Sequence, residues 1–218
     1  LRKTKTDKTD ALVIAKMLFS DDTKSYSPVS YQIQELKSLT RHRYRLIGYR
    51  SKLKVSITRL IDIIFPELPK YVWSIHQSSS YSLLSELPGP KDIANCHLTK
   101  LTNILSKASR GKYGKCKAIA LKEAASTSIG TSTRSLSFEL QQTIRLIQSV
   151  QSEIDALDLQ IKEVVTEINS PIMSIPGISY TLAAIILAEI GDIARFTEPA
   201  KLLAFAGLDP STYQSGKY

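Results

Sequence analysis

Two aspartates near the start of the chain have the type and spacing of metal ligands. Asp7 and Asp10 are three residues apart within residues 5–11, and a helical apolar pattern follows them. On a helix this spacing places both carboxylates on one face, near the positive end of the helix. Paired carboxylates bind hard cations such as Mg²⁺ and occur in phosphoryl-transfer sites. The alternative is that Thr6 or Asp7 caps the helix and Asp10 merely suits its first turn.

A serine near the other end of the chain could act as a nucleophile. Ser215 precedes a glycine in the polar segment 207–216. A serine exposed in an irregular segment can attack an electrophilic centre when backbone amides stabilise the charge that develops. Tyr213 and Tyr218 are rival nucleophiles. Ser-Gly pairs also form ordinary loops, and a serine needs an activating partner that the linear sequence does not show.

The segment before this tail is typical of a helix-hairpin-helix, a module that holds nucleic-acid phosphates through backbone amides. A turn at Gly177 precedes an apolar run over 182–190, and Thr181 is placed to lead that helix. The amides at the start of such a helix bind anions, so Gly177, Ile178 and Ser179 are predicted to contact a phosphate. The alternative is an ordinary helical corner with Pro and Gly as punctuation.

Two long helical patterns organise the middle of the chain. The first covers about 31–65 with basic charges, and the second covers about 136–168 with mainly acidic charges. Both keep a heptad-like apolar spacing, so we expect them to pair antiparallel as a coiled-coil arm. Between them, residues 66–133 predict a cap of shorter helices, and no segment alternates long enough to indicate a sheet. The sequence therefore predicts an all-α fold.

Uncompensated basic charge indicates a polyanionic partner. The chain has 29 Lys and Arg against 20 Asp and Glu, a net charge of +9. Two runs contain bases without acids, at 41–59 and at 107–122, and the second includes the loop Gly111-Lys112-Tyr113-Gly114. A solvated basic face is the alternative, and the acidic helix would neutralise part of the first run, Arg43 and Arg50 in particular. The predicted nucleic-acid contacts are Arg41, Arg45, Lys52, Arg110, Lys112, Lys115 and Lys117.

The cysteines and the hydropathy exclude several classes of protein. Cys96 and Cys116 have no paired spacing, which argues for a reducing compartment and against a disulfide scaffold. Together with His97 they lack a fourth zinc ligand at a recognisable spacing. The longest apolar run is too short to span a bilayer, so we expect a soluble, cytoplasmic protein without a membrane partner.

Five segments, taken in order, resemble a known family. They are KTDKTDA at 5–11, FPEL at 65–68, SIPGIS at 174–179, AEIGDIARF at 188–196 and FAGLDPSTYQSG at 205–216. Together they resemble the insertion-sequence transposases of the one-ten family, which are related to the Piv/MooV DNA invertases and are described as bridge-RNA-guided recombinases. The resemblance spans the whole chain.

The resemblance implies roles for the residues singled out above. In that family a RuvC-like domain binds Mg²⁺ through a DEDD set of carboxylates, of which Asp7 and Asp10 would be the last two. Ser215 would be the nucleophile that forms a transient phosphoserine link to DNA. Coiled-coil arms assemble the protomers, and one active site is thought to combine groups from two subunits. The first two carboxylates would precede Leu1, and a Gly/Lys-rich stretch expected after the serine is absent beyond Tyr218.

These implications predict a prokaryotic, nucleoid-associated DNA transposase that works with DNA, a guide RNA and copies of itself. The expected domains are the tail of the RuvC-like domain at 1–27, the arm with its cap at 28–169 and a truncated C-terminal transposase domain at 170–218. We expect this fragment to be inactive alone. The alternative is a non-catalytic module that binds nucleic acid and dimerises, or a purely structural scaffold.

Overall fold

The computed structural model describes residues 7–19 and 30–208, and within these ranges the chain is helical and contains no strand. The all-α prediction is therefore confirmed for the part of the chain that is described. The α-helices of these ranges are α1 (Asp7–Leu18), α2 (Tyr31–Ile64), α3 (Leu68–Tyr71), α4 (Ser78–Glu86), α5 (Pro90–Asn95), α6 (Leu98–Ala108), α7 (Lys115–Ser126), α8 (Arg134–Ile168), α9 (Tyr180–Ile190) and α10 (Pro199–Phe205).

The two long helices begin at capping side chains and end within two residues of their predicted limits. Ser30 accepts a hydrogen bond from the Ile33 amide at the start of α2, and Thr133 accepts one from the Leu136 amide at the start of α8. These bonds satisfy amides that a helix start otherwise leaves unpaired. Helix α8 is followed by Asn169, which adopts the left-handed conformation with φ 48°. Asn tolerates this conformation better than most residues do, so it terminates the helix at low cost.

Helices α2 and α8 pack antiparallel along their length. Arg59 contacts Glu139, Arg50 contacts Gln151 and Arg43 contacts Asp158. Residue numbers rise along α2 as they fall along α8, which defines the antiparallel direction. The basic helix therefore pairs with the acidic one, as the charge pattern predicted. Knobs-into-holes packing of the coiled-coil type stays a prediction.

Helices α3 to α7 form a cap on one end of this pair. The cap core includes Phe65, Leu83 and Leu101, which are buried together with side chains from both long helices. Hydrophobic burial of this kind is the main stabilising term in a small helical domain. The long-helix residues in the same core are Ile57, Leu60, Ile61 and Ile64 from α2 and Leu140, Ile144 and Ile147 from α8.

The loop that returns from the cap to α8 is fixed to the end of α2. Glu67 accepts hydrogen bonds from the Ser128 hydroxyl at 2.6 Å and from the Ile129 amide at 3.1 Å. The bond from Ser128 lowers the pKa of Glu67 from its ordinary value, with burial opposing and the Ile129 amide adding to the effect. The Thr131 amide donates to the Ile63 carbonyl oxygen at 2.8 Å. The two long helices are thereby tied together at this end.

A second, smaller core lies at the other end of the long helices, where α9 packs on both. It contains Leu36 from α2 together with Ala183, Ala184 and Ala188 from α9. The residues that α8 contributes are Ile161, Val164 and Val165. Alanines on α9 allow its backbone to approach the pair closely, so a helix of 11 residues closes this end.

The sequence pattern placed the apolar seam of α2 only in part. The heptad-like spacing of α2 includes Leu39, Leu46 and Leu53 as well as Ile57, Leu60 and Ile64. The last three side chains are fully buried, but the first three are half-buried. Leu36, which the pattern did not select, is fully buried. Two helices alone cover only one narrow side of each other, and full burial needs a third element, which α9 supplies at Leu36.

Candidate catalytic residues and nucleic-acid interface

Asp7 and Asp10 lie exposed in the first turn of α1, on the same face of the helix. Exposed carboxylates are the kind of oxygen ligand that a hard divalent cation prefers. Within residues 7–19 and 30–208, no group of three or more His, Cys, Asp or Glu side chains could hold a metal. To hold a metal, the two aspartates would therefore need further ligands from elsewhere, and their metal role stays a prediction.

Helix α1 contains no buried residue, although it is rich in apolar side chains. Leu12, Ile14 and Leu18 are 55%, 58% and 72% exposed. An apolar helix surface this open normally packs against another element. Because the two carboxylates stand on this helix, whatever covers its apolar surface would also set the position of Asp7 and Asp10.

The predicted nucleophile lies outside the described residues. Ser215 and its rivals Tyr213 and Tyr218 follow residue 208, where the description ends. The nearest described element is α10, which contains no buried residue. Before it, the Arg195 guanidinium lies 4.6 Å and 4.5 Å from the ring centroids of Phe196 and Phe205.

The predicted hairpin contains a tight turn followed by a helix start, with one correction. Gly177 has φ 89°, a conformation that favours glycine. Ser179, not Thr181, caps α9 by accepting a hydrogen bond from the Leu182 amide at 3.3 Å. The Thr181 hydroxyl instead donates to Asp158 at 3.2 Å. The expectation that Thr181 leads the helix was wrong because this side chain is used to attach α9 to α8.

Two polar groups of the predicted phosphate site already form hydrogen bonds within the hairpin and α9. The Ile178 amide donates to the Ile175 carbonyl oxygen at 3.2 Å, and the Ser179 hydroxyl serves as the helix cap. Gly177 and Ser179 remain exposed. Phosphate binding at this turn stays a prediction, and a phosphate here would have to use amides other than that of Ile178.

Three bases of the first run contact side chains of α8 or α9, two of them acidic and one a neutral amide. The Arg43 guanidinium donates to both oxygens of Asp158, at 2.6 Å and 3.2 Å, and Arg50 donates to Gln151 at 2.6 Å. Arg41 contacts Glu189 at 3.3 Å in an exposed pair. The expectation that the acidic helix neutralises Arg43 is confirmed, and Arg50 is likewise engaged with α8. Arg45 and Lys52 are exposed, so more of the charge available to a polyanion lies there than at Arg43.

A polar network joins α2 to the cap beside a cavity of about 390 Å³. The His76 ring is hydrogen-bonded to the Tyr81 hydroxyl at 3.0 Å and to the Thr58 hydroxyl at 3.2 Å. Burial, aided by the charge of Lys54, lowers the pKa of His76, and burial raises the pKa of Tyr81 to about 12. Both groups are therefore neutral at pH 7, which suits a structural contact between arm and cap.

The second basic run borders a cleft of about 580 Å³. The most exposed aromatic residue of this cleft was not among the contacts predicted from the sequence. Trp73 is 93% exposed and lines this cleft together with Arg110, Lys112 and Tyr113. The sequence signal was a single tryptophan after Tyr71 and Val72, but it lies about 40 residues before the basic loop. Only the packing of the cap brings the two segments together.

Tyr113 connects the two walls of this cleft. Its hydroxyl accepts hydrogen bonds from the Trp73 amide at 2.8 Å and from the Gln77 side chain at 2.9 Å. Burial opposes ionisation, but the bonds from Gln77 and Trp73 and the charges of Lys117 and Lys112 outweigh it and lower the pKa of Tyr113. The Lys117 ammonium lies 5.7 Å from the centre of the ring. The positive charges of Lys112 and Lys117 thus act on a residue that lines the cleft.

Lys115, the remaining predicted contact, and the two cysteines lie outside the lining of this cleft. Lys115 is exposed at the start of α7, while the Lys122 ammonium donates to the Cys96 carbonyl oxygen. Cys96 is buried and Cys116 is exposed. Among the residues that the structure describes, no helix has both the length and the apolar content to cross a bilayer.

Comparisons with known proteins match both ends of the chain. A family model described as "Transposase IS116/IS110/IS902 family" matches residues 169–218, and a DEDD transposase model of IS110 matches residues 1–66. The chain is 27% identical over 225 residues to the insertion element IS116 uncharacterized 44.8 kDa protein of Streptomyces clavuligerus, over 98% of this chain and 54% of the relative. The chain therefore spans about half the length of that relative.

Proposed function

The chain belongs to the IS116/IS110/IS902 family of transposases, and on this premise we propose that it carries part of the catalytic machinery of a DNA transposase. The observation that carries the proposal is the position of the two family matches. One contains Asp7 and Asp10 and the other contains Ser215. The helical arm and cap lie between these residues in the sequence, so the arm would carry one set of groups toward the other, within one subunit or between two.

Asp7 and Asp10 would bind a divalent cation, Mg²⁺ in our proposal, together with two carboxylates from a segment outside this chain. Their exposure on one face of α1 supports this role. The bound cation would supply charge neutralisation at the DNA phosphate under attack. The two aspartates would keep that phosphate in position through the metal.

Ser215 would attack the phosphate. Its hydroxyl oxygen forms a bond to phosphorus as its proton passes to a nearby acceptor, and the bond from phosphorus to one deoxyribose oxygen breaks. The leaving oxygen takes up a proton, and the strand stays linked to the serine as a phosphodiester. A hydroxyl of a second strand then attacks the same phosphorus and releases Ser215, which exchanges the strands.

The arm and cap would hold the partners of this reaction. Exposed apolar side chains on the arm, such as Tyr44 at 79%, Val55 at 70% and Leu159 at 64%, support assembly of several copies through the arm. Exposed bases, such as Arg45 and Lys52 on α2 and Lys115 on α7, support contact with DNA and with a guide RNA. We propose both partners and a homo-oligomer.

The test replaces Ser215 in a protein extended at its N-terminus through the two expected carboxylates, assayed with Mg²⁺, guide RNA and DNA. Ser215→Ala should abolish the covalent protein–DNA adduct while DNA binding is retained, because only the attacking oxygen is lost. Tyr213→Phe is the matched control and should keep the adduct. An adduct that survives in Ser215→Ala and disappears in Tyr213→Phe would transfer the role to the tyrosine.

A second candidate function is a non-catalytic module that binds nucleic acid and oligomerises. The observation that favours it is that Asp7 and Asp10 alone do not complete a metal site within the described residues. This function predicts salt-sensitive binding without an adduct under any condition, also in the extended protein. An adduct trapped on the extended protein would exclude it.

A further inference from the structure

We propose that the cleft between the end of α3 and the loop joining α6 to α7 binds an unpaired nucleotide of a single strand. The base would stack on Trp73, and a neighbouring phosphate would lie on Arg110 and Lys112. The proposal deepens the proposed function, on which it rests for the nature of the partner, by locating where a strand contacts the cap. Binding here would need neither Ser215 nor the carboxylates of α1.

Trp73 is an exposed side chain on a backbone segment that hydrogen bonds hold in place. Val72, its neighbour, is buried at 7% exposure, while Trp73 is 93% exposed. The Trp73 amide donates to Tyr113, and the Ser74 carbonyl oxygen accepts from the Ser80 hydroxyl at 2.8 Å. The ring is therefore held out from a rigid segment. An indole presented in this way is the group on which nucleic-acid bases stack in single-strand binding sites, and it loses little conformational freedom on binding.

The opposite wall carries positive charge in a fixed loop. Arg110 has φ 54° and Gly111 φ 82°, two consecutive residues in the left-handed region. The Gly111 amide donates to the Ser106 carbonyl oxygen at 2.8 Å and the Lys112 amide to that of Ser109 at 3.2 Å. A glycine at position 110 would adopt this conformation at lower cost. The Arg110 side chain therefore occupies a position where the backbone conformation alone would favour glycine.

The lining of the cleft favours a nucleic-acid strand over a protein segment. Arg110 and Lys112 are the charged residues of its described lining, which contains no carboxylate. Two cations with exposed side chains attract a phosphate, and the aromatic ring accepts any base. A volume of about 580 Å³ is large enough for a small ligand such as one nucleotide.

The intrinsic fluorescence of the chain tests the site directly, because Trp73 is its one tryptophan. We would titrate the 218-residue chain with short oligouridylate, short oligothymidylate and a DNA duplex. Saturable quenching by either single strand, with weaker quenching by the duplex, supports the site. Tighter binding of the uridylate identifies RNA as the source of the nucleotide, and tighter binding of the thymidylate identifies DNA. Emission unchanged by both single strands would overturn the proposal.

Substitutions separate stacking from charge, with binding followed by the anisotropy of a labelled oligonucleotide. Trp73→Ala should weaken binding by about 5-fold to 100-fold, the range expected for the loss of one stacked base. Arg110→Gly should weaken binding and reduce the slope of log affinity against log salt by about 0.7. Its melting temperature should not fall, because glycine suits the left-handed position. Unchanged affinity in both variants would exclude the cleft.

The matched control is Phe138→Ala. Phe138 is also exposed, at 57%, and lies beside the cation Arg134, but it is outside the cleft. Removal of the Phe138 ring should leave the affinity for the oligonucleotide unchanged. A loss of affinity equal to that of Trp73→Ala would show that any exposed aromatic ring can bind the strand. Asp10→Asn should bind single strands normally even though it abolishes the adduct, so a failure of the catalytic proposal is distinguishable from a failure of this one. A Trp73 emission that depends on protein concentration and not on oligonucleotide would assign the surface to self-association and overturn the proposal.

Discussion

The loop that joins α7 to α8 passes close to the end of α2 at Gly130. A Cβ atom added at this position would lie 2.1 Å from the carbonyl oxygen of Ile64 and 2.6 Å from its carbonyl carbon. These are backbone atoms of a buried helix end, and they cannot move away cheaply. We expect Gly130→Ala to lower the free energy of unfolding by about 2–3 kcal/mol, as overpacking does elsewhere, measured by urea denaturation.

Gly48 provides the matched control for this prediction. It lies within α2, and an added Cβ atom would meet nothing within 4 Å. Gly48→Ala should raise the free energy of unfolding by about 0.5–1 kcal/mol, because alanine loses less backbone entropy in a helix. Equal effects of the two substitutions would contradict the close approach at Gly130.

At the scale of elements, the contacts of α2 with its neighbours differ in strength. Arg43 and Asp158 are 22% and 34% exposed and share two hydrogen bonds, and Asp158 also accepts from Thr181 of α9. Arg41 and Glu189 are 58% and 50% exposed and share one. The first pair therefore connects three helices, whereas the second lies in solvent.

Double-mutant cycles with alanine should show this difference. We expect a coupling free energy of about 1–2 kcal/mol for Arg43 with Asp158, since the pair is half-buried and its hydrogen bonds are charge-assisted. The coupling of Arg41 with Glu189 should be below about 0.5 kcal/mol, as for most exposed ion pairs. Both cycles are measured by urea denaturation in low salt. Similar coupling in the two pairs would contradict the burial that the structure gives them.

At the scale of the whole molecule, the residues that the structure describes form two cores, at opposite ends of the long helices. The larger one lies in the cap and the smaller one under α9. Helix α1 contributes no buried residue to either. Within the described residues, the helix that carries Asp7 and Asp10 therefore shares no hydrophobic core with the arm and cap.

Removal of residues 1–19 tests this separation. The melting temperature of the shortened chain should stay within about 2 °C of that of the whole chain, because α1 contributes no buried residue to either core. The exposed apolar side chains of α1 are also removed, so the shortened chain should aggregate less in light scattering. A fall of more than about 5 °C would mean that α1 packs on the rest of the chain.

Local features of the sequence determined the all-α fold, the limits of the two long helices and their antiparallel pairing. Helix periodicity and capping act over a few residues, and the opposite charges of α2 and α8 are visible in the composition of each helix alone. Asp7 and Asp10 were found in the same way, because their spacing on one helix is itself local.

Only the tertiary structure decided which residues meet across long stretches of chain. Leu36 is fully buried because α9 folds back onto it, and Trp73 lies beside Arg110 because α3 and the α6–α7 loop pack in one cap. Thr181 contacts Asp158 instead of leading its helix, for the same reason. Such contacts depend on how helices pack in three dimensions, and the periodicity of a single segment carries no information about its distant neighbours.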